Sequence, residues 1–358
     1  MTRPVLFATN HVPPDRTGAF AALHEREGIE VALFGGRSHH ATPGLEDPGV
    51  PFARLRQRDV YRLAGSGRYR AVVAGTAGRI ALPAAWRGAR HAQVPFLLWS
   101  ALWGELVTPA HLAARPLMAA IYRDADAVVA YGSHVAEFAR RHGARTVVIA
   151  PQAVDNDWWS ACVDGQAVRY GKFQGLFVGR PVWEKGAGVL QQALRASGLG
   201  RTAAAFVLVG AGPSSPQTPA GEGSPPVIAV GPQPPRRVRE LYAGSDVLVV
   251  PSLPTRTFRE PWGLVVNEAM NQRCAIITSD AVGAAAGGLV RDGETGLVVP
   301  AGDPDALGAA LRRLHDDPAL RARLAEAGAR EVRSLTFDRW AEGFSAALTA
   351  TGASRSPC

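Results

Sequence analysis

One short pattern, an aspartate directly before a run of apolar residues, occurs twice and constrains the fold more than any other feature of the chain. Asp126 precedes Ala-Val-Val-Ala, and Asp246 precedes Val-Leu-Val-Val. Apolar runs of this length are typical of buried strands in parallel sheets, whose two faces are both covered by helices. The copies lie about 120 residues apart, which predicts two similar α/β halves. A length of 358 residues fits two domains, because a single hydrophobic core stops growing at ~250–300 residues.

Asp124 and Asp126 also form an Asp-x-Asp pair, which in another setting would suggest a bound divalent metal. We interpret the pair as structural, because Asp126 opens a predicted buried strand as Asp246 does. No metal site is predicted from it.

The N-terminal residues predict a strand, a helix and a second strand at 4–10, 19–27 and 29–34. Parallel strands joined by a helix form a βαβ unit. Ligands of such sheets bind at the carboxyl ends of the strands, where Thr17 and Gly18 lie in this sequence. The same two residues would also suit a helix-capping turn, and the sequence leaves both interpretations open.

Composition excludes several classes of protein. Hydrophobic residues make up 47% and charged residues 20% of the chain, as in an ordinary globular protein. No run of ~18 apolar residues is present, so no transmembrane helix is expected, and the N-terminus turns polar too early for a signal peptide. The cysteines lack Cys-x-x-Cys spacing, which favours a reducing cytoplasm and argues against structural zinc. They are Cys162, Cys274 and Cys358.

The net charge of +8 is spread along the chain instead of concentrated in one stripe with interleaved aromatic residues. Nucleic acid is therefore not an expected partner. A negatively charged small substrate or an anionic membrane surface fits the charge better, and a basic surface without a specific partner also fits it. We expect a cytoplasmic protein, and its peripheral association with a membrane stays open.

The stretch REPWGLVVNEAM places two carboxylates around an aromatic-glycine-aliphatic turn. If a helix begins near Gly263, Glu260 lies in the loop before it and Glu268 lies in its second turn. The first amides of a helix, here those of Gly263, Leu264 and Val265, have no carbonyl partner within it and bind anions, above all phosphate. One carboxylate would then suit a sugar hydroxyl and the other a ribose. The simpler alternative is a helix-dipole partner and a solvated helix residue.

The spacing from Glu260 to Glu268, with Trp262 in the aromatic place, resembles the hallmark of the family-4 glycosyltransferases. These are retaining enzymes that use nucleotide-sugar donors and have the GT-B fold. The resemblance covers the C-terminal half almost end to end and the N-terminal half only loosely. It implies an α/β fold class with two Rossmann-like domains that face each other across a cleft.

The resemblance also implies a role for each residue that matches the family's pattern. Arg180 and Lys185 would hold the diphosphate and stabilise its charge as it leaves, the arginine as a fork and the lysine as a point charge. Together with Glu260, which would bind hydroxyls of the transferred sugar, they are the predicted catalytic residues. The predicted donor-binding residues are Gly18, Gly263, Leu264, Val265 and Glu268, the last of them on the ribose.

Many family members carry a pocket histidine near the loop that contains Trp103 and Glu105 in this chain. No histidine lies between Gln93 and Ala110, and His111 is the next one downstream. We therefore expect Trp103 or Glu105 to take its place in an acceptor-side pocket.

Four segments make up the predicted organisation. An N-terminal Rossmann-like, acceptor-side domain is expected over residues 1–165 and a C-terminal nucleotide-sugar-binding domain over residues 166–335. A helix at 336–350 would cross back to the N-terminal domain, and a disordered tail would follow at 351–358.

The predicted reaction moves a sugar from a nucleotide-diphosphate sugar to a glycan, lipid-linked or small-molecule acceptor with retention of anomeric configuration. The donor is a co-substrate, and neither a cofactor nor a metal is expected. Two alternatives stay open: a nucleotide-sugar-binding relative without turnover, and a sugar-nucleotide epimerase of the same fold. The missing pocket histidine favours the first alternative, whereas the complete set of Arg180, Lys185, Glu260 and Glu268 argues against it.

Overall fold

The structure is a computed structural model, and it describes residues 3–35, 47–163, 167–200, 203–210 and 224–355. Contacts between residues divide the chain into two compact units. The first unit runs through Asp155 and takes in the C-terminal segment from Leu335 onwards, and the second unit is Asn156–Ser334. The chain therefore enters its second unit earlier than position 165, and the final helix groups with the N-terminal residues.

Within the described residues the strands form two sheets, and every pair of neighbouring strands is parallel. The first sheet contains β1 (Val5–Thr9), β2 (Ile29–Leu33), β3 (Phe52–Arg54), β4 (Ala71–Gly75), β5 (Phe96–Ser100), β6 (Ala127–Ala130) and β7 (Val147–Ile149). The second contains β8 (Phe173–Val178), β9 (Ala204–Val209), β10 (Val227–Gly231), β11 (Val247–Val250), β12 (Ala275–Ser279) and β13 (Leu297–Val299). Their spatial orders are β3-β2-β1-β4-β5-β6-β7 and β10-β9-β8-β11-β12-β13. Each order reverses beside the first strand of its unit, as in doubly wound folds, so the predicted α/β class with two Rossmann-like domains is confirmed.

Helices fill the connections between the strands. In the described chain they are α1 (Thr17–Glu27), α2 (Val60–Ala64), α3 (Ala81–His91), α4 (Pro109–Asp124), α5 (Ser133–Arg141), α6 (Asn156–Ser160), α7 (Ala187–Ala196), α8 (Pro235–Ala243), α9 (Leu264–Asn271), α10 (Gly283–Ala286), α11 (Pro304–Asp316), α12 (Pro318–Val332) and α13 (Phe337–Ala350). Asp303 caps α11, as its position before the helix predicts, and accepts hydrogen bonds from two first-turn amides. Of the helices in these ranges, none combines the length and the apolar character that crossing a membrane requires.

The last helix, α13, completes the core of the first unit. Alternate residues of a strand face opposite sides of the sheet, and Phe7 of β1 faces α1 and α13. Phe20 of α1 lies 5.5 Å from Trp340 of α13, measured between ring centres, and Phe7 lies 5.6 Å from Phe344. All four side chains are fully buried, and burying a side chain of this size contributes about 1.5–3 kcal/mol.

The two aspartates of the repeated pattern have the same structural role. The carboxylate of Asp126 accepts a hydrogen bond of 2.8 Å from the amide of Phe96, and that of Asp246 accepts one of 2.8 Å from the amide of Gln174. Each carboxylate thus joins the start of its own strand to the start of a neighbouring strand, β5 or β8, and the structural interpretation of Asp126 is confirmed. The repeat is local rather than topological, however. β11 lies directly beside the first strand of its sheet, whereas β6 lies two strands further out.

Residues 351–355 are packed against the first unit, which differs from the expectation of disorder. Ala353 is buried, and its carbonyl accepts a hydrogen bond of 2.8 Å from Nε of Arg70. Arg70 is itself buried; it pairs with the carboxylate of Glu27 at 2.6 Å and donates to two further carbonyls. The remainder of the predicted tail, residues 356–358, lies outside the described residues.

Candidate functional site

The candidate site lies at the carboxyl edge of the second sheet, where the strand order reverses between β8 and β11. The chain leaves β8 towards β9 and leaves β11 towards β12, and ligands of doubly wound sheets bind beside a reversal of this kind. The loop after β8 carries Arg180, which is half-buried, and Lys185; the loop after β11 carries Glu260. All three residues predicted to be catalytic therefore lie at one edge of one sheet.

Glu260 is only 7% exposed, and two neighbours orient its carboxylate. Nζ of Lys185 donates to Oε2 and forms an ion pair with it. Ser252, a fully buried residue just beyond β11, donates from Oγ to the same oxygen at 3.2 Å. Because a buried carboxylate is costly unless it is paired and hydrogen-bonded, these contacts account for its burial and fix its position.

Lys185 is held in place by the glycine that follows it. Gly186 has a φ of 75°, and a Cβ atom there would lie 1.9 Å from the carbonyl oxygen of Pro251. Nζ of Lys185 also lies 5.4 Å from the centre of the Phe258 ring, within the range of a cation–π contact. The loop after β8 is thus pressed onto the loop after β11, and only glycine allows that approach.

Gly186→Ala is expected to lower the free energy of unfolding by about 1–3 kcal/mol, because alanine is strained at this φ and its Cβ collides with Pro251. The collision displaces Lys185 from Glu260, so any sugar transfer should fall as well. Gly198→Ala is the matched control, since Gly198 has a φ of 69° but nothing within 4 Å of a Cβ. Urea denaturation compares the two variants; equal destabilisation would show that the contact between the loops does not require the glycine.

Helix α9 begins at the predicted place, with Gly263 as its N-cap residue at a φ of 90°. The amide of Val266 donates to the carbonyl of Gly263 at 2.9 Å. The amides of Leu264 and Val265 belong to the first turn, where a helix provides no carbonyl partner. The positive end of the helix dipole therefore lies just after the loop that carries Glu260.

Glu268 lies in the second turn of α9 and faces α8. Its carboxylate accepts a hydrogen bond of 2.9 Å from the hydroxyl of Tyr242. Tyr242 is fully buried, and burial, followed by the negative charge of Glu268, raises its pKa well above the ordinary value. The hydroxyl thus stays protonated, and Glu268 is an oriented carboxylate, unlike the solvated helix residue of the simpler alternative.

Sequence reasoning missed three side chains that orient this site: Ser252, Tyr242 and Asn267. Asn267 is fully buried and accepts a hydrogen bond of 2.8 Å from Nε1 of Trp262, which fixes the aromatic residue of the motif. Ser252 carried a detectable signal, because it is a polar residue at the carboxyl end of a buried strand. Tyr242 carried none, since its partner lies on another helix.

Gly18 lies in the first turn of α1, in the first unit. A Cβ atom there would lie 2.4 Å from the ring of Phe337. Close packing between α1 and α13 therefore accounts for this glycine, and its contact with a donor stays a prediction.

Trp103 and Glu105 have separate partners in the first unit. The carboxylate of Glu105 is 48% exposed and pairs with Arg115 at 3.3 Å and with His142 at 2.9 Å, which argues against a role in a pocket. Trp103 packs edge-on against His134, with 5.0 Å between ring centres. A histidine therefore does reach this loop, from the start of α5. The residues around Trp103 in the sequence give no sign of it, because the contact is made between two separate connections.

No group of three or more His, Cys, Asp or Glu side chains in the described ranges is arranged to hold a metal ion. Asp124 accepts hydrogen bonds from Trp86 at 2.6 Å and from Arg90 at 2.7 Å. These contacts, with those of Asp126, account for the Asp-x-Asp pair. Independence of metal stays a prediction.

Comparison with known proteins locates one family match. Residues 172–317 match the model of the Glycosyl transferases group 1 family. Over 102 residues the chain is 42% identical to a D-inositol 3-phosphate glycosyltransferase of Thermomonospora curvata, a match that covers 28% of this chain and 21% of that protein. A protein of the same name from Acidothermus cellulolyticus is 38% identical over 120 residues, which cover 33% of this chain and 24% of that protein. The chain thus matches only about a quarter of the length of these curated relatives.

The similarity of folds extends much further than the similarity of sequences. The crystal structure of Anabaena Alr3699/HepE in complex with UDP-glucose superposes on 97% of this chain and 99% of that chain with a TM-score of 0.74, at 17% identity. The predicted fold class is confirmed by this likeness. The chain therefore has the GT-B fold, its residues 172–317 are similar to the Glycosyl transferases group 1 family, and its resemblance to the family-4 glycosyltransferases is confirmed.

Proposed function

We propose that this chain is a retaining glycosyltransferase that moves a sugar from a nucleotide-diphosphate sugar to the hydroxyl of an acceptor, without a metal. The observation that carries the proposal is the pair formed by Lys185 and Glu260 where the second sheet reverses its order, beside the first turn of α9. A cation, an oriented carboxylate and helix-terminal amides match the diphosphate and the transferred sugar of such a donor.

The site must above all stabilise the negative charge that develops on the leaving diphosphate. Lys185 would share its ammonium group between Glu260 and a phosphate oxygen, and Arg180 would bind a second oxygen. The amides of Leu264 and Val265 would add the positive end of the helix dipole. Groups that are already oriented before the reaction stabilise developing charge without reorganising, which lowers the barrier to transfer.

The carboxylates would bind hydroxyl groups of the donor. Glu260 would accept hydrogen bonds from the transferred sugar, and Glu268, oriented by Tyr242, would accept them from the ribose. The fold neighbour that contains UDP-glucose makes UDP-sugars the first donors to test. The acceptor would bind at the carboxyl edge of the first sheet and be a glycan, a lipid-linked sugar or a small molecule. We include in this proposal a cytoplasmic location at the periphery of a membrane. The net charge of +8 supports the contact with an anionic membrane surface.

Thermal denaturation of the purified chain with UDP, GDP, ADP or TDP, in the presence of a chelator, tests the proposal. A nucleotide at ~100 times its dissociation constant is expected to stabilise the protein by about 2.7 kcal/mol. One nucleotide should raise Tm clearly more than the others, because the base is recognised as well as the diphosphate. No rise with any of the four would contradict the proposal.

Lys185→Gln should remove most of that rise, since the lysine is placed on the diphosphate. Lys172→Gln is the matched control: Lys172 is an exposed lysine of the same unit and should leave the rise unchanged. An equal rise in Tm for the two variants would show that the diphosphate does not bind at Lys185.

A further inference from the structure

The guanidinium group of Arg16 is buried without a counter-ion. Arg16 directly precedes α1 and is 7% exposed. One of its terminal nitrogens donates to Oε1 of Gln152, which lies just beyond β7. The other terminal nitrogen, NH1, has no hydrogen-bond partner. Among the residues that the structure describes, no carboxylate pairs with Arg16, not even that of the exposed Asp15 next to it.

Arg70, a buried arginine of the same unit, has the hydrogen-bond and ion-pair partners that Arg16 lacks. It is about as buried as Arg16, at 9% exposed, and it has a carboxylate partner in Glu27 and three carbonyl acceptors. An arginine stays protonated in proteins, and burying its charge without a partner destabilises the fold. Packing therefore accounts for Arg70 but not for Arg16.

Several other buried polar atoms in the described part of the first unit have no partner, Nε1 of Trp340 among them, and two of these atoms belong to residues near the same edge of the first sheet. They are Nε2 of His11, on the loop that joins β1 to Arg16, and Nε1 of Trp99, near the end of β5. Trp99 lies 5.4 Å from Tyr131 between ring centres. The charges of Arg16 and of the exposed Asp15 both act on Tyr131, in opposite directions, so these two residues, Tyr131 and Trp99 lie in one neighbourhood.

The chemistry of this set, which we call the Arg16 cluster (His11, Arg16, Trp99 and Tyr131), is that of hydrogen-bond donors. Guanidinium and indole groups only donate, and Nε2 of an imidazole donates when it carries the proton. Burial raises the pKa of Tyr131 above its ordinary value, so its hydroxyl also stays protonated. A buried cation and donors on neighbouring segments, at the edge of a parallel sheet where ligands bind, suit an anion with several oxygens.

We propose that the Arg16 cluster binds a phosphate group carried by the acceptor. This inference rests on the proposed function, because it names the chemical class of the second substrate. Arg16 would pair with the phosphate and gain the missing counter-ion, and His11 and Trp99 would donate to further oxygens. The acceptor is therefore a phosphorylated compound, and its phosphate positions it for transfer without taking part in the reaction.

Titration calorimetry of the full chain with D-inositol 3-phosphate, inositol and inorganic phosphate tests this assignment. The experiment is run with and without the nucleoside diphosphate that gives the largest rise in Tm. The phosphate ester should bind more tightly than inorganic phosphate, and inositol should not bind measurably. Inorganic phosphate binding as tightly as the ester would overturn the acceptor assignment in favour of a site for free phosphate. Failure of all three probes to bind would overturn it outright.

Arg16→Met should weaken binding of the ester by about 10- to 100-fold, the effect of losing hydrogen bonds to a charged group. Its Tm without ligand should not fall, because an unpaired buried charge has been replaced by an apolar side chain. Arg87→Met is the control, since Arg87 is an exposed arginine on α3 of the same unit. A lower Tm for Arg16→Met with unchanged affinity for the ester would mean a structural role and overturn the proposal.

The two proposals can fail separately. The rise in Tm with a nucleoside diphosphate reports on the second unit and does not involve Arg16. If that rise is present while Arg16→Met leaves ester binding intact, only the anionic acceptor is excluded. If the rise is absent for every nucleotide, the glycosyltransferase proposal itself fails.

Discussion

Glu260→Gln is expected to lower kcat for sugar transfer by about 100- to 1,000-fold, the usual loss when one oriented polar group is removed from a transition-state site. The amide keeps the size of the side chain but loses the negative charge that holds Lys185 and the sugar hydroxyls. Binding of the nucleoside diphosphate should survive, because the diphosphate is placed on Arg180, Lys185 and the amides of α9. Steady-state kinetics and calorimetry with the same nucleotide measure the two effects separately.

Glu326→Gln is the control for this experiment, since Glu326 is an exposed glutamate of the same unit that pairs with Arg273 at 3.0 Å. The double variant with Lys185→Gln adds a sharper test: residues that act as a unit are strongly non-additive, so the double variant should transfer little more slowly than the worse single one. An inactive nucleotide-sugar-binding relative would show no transfer in the wild-type chain. A parallel loss of binding and transfer in Glu260→Gln would argue against a catalytic role.

Arg70→Met is expected to lower the free energy of unfolding by about 3–5 kcal/mol, the cost of leaving one charge of a buried pair uncompensated. The carboxylate of Glu27 and three carbonyls would lose their donor, among them the carbonyl of Ala353. For a unit of this size the loss corresponds to a fall in Tm of about 6–20 °C. Thermal and urea denaturation measure it.

Arg68→Met is the matched control for Arg70. Arg68 pairs with Glu30 at 2.7 Å, but its side chain is 62% exposed, and exposed pairs contribute about 0–1 kcal/mol. Similar losses for Arg68→Met and Arg70→Met would contradict the assignment of Arg70 as a buried structural charge.

Local signals carried most of what the sequence could predict about the fold. Gly263 begins the helix expected there, and Asp303 caps α11 from directly before it, because capping depends on residues within one turn. Short apolar runs predicted the buried strands, because the burial of a strand on both faces is also visible within a few consecutive residues. The patterns at Asp126 and Asp246 correctly predicted that each aspartate opens a buried strand. They did not predict the positions of these strands, because the order of strands in a sheet depends on the connections between them.

Contacts across long stretches of sequence account for what was missed at the candidate site. The ion pair between Lys185 and Glu260 joins two loops, each of which was predicted separately to contain site residues. The sequence of neither loop indicated that the two side chains are in contact. His134 contacts Trp103 from a different connection, and the residues that neighbour Trp103 in the sequence therefore include no histidine. Nothing in the sequence near Gly18 indicated that it packs against Phe337, which is distant in the chain, and its contact with a donor stays a prediction.

The membership of α13 in the first unit has a consequence for how the chain folds as it is synthesised. The second unit is one continuous stretch, but the first is made of two stretches separated by the whole of the second. On the ribosome the second unit can therefore close before the first, although domains generally fold from the N-terminus. Until Trp340 and Phe344 emerge, the face of the nascent first sheet that carries Phe7 lacks the cover that α13 provides, although α1 can already pack against it. The strands of the first unit thus reach their final packing only after the second unit has been synthesised, and during that interval their exposed apolar face is a target for a chaperone.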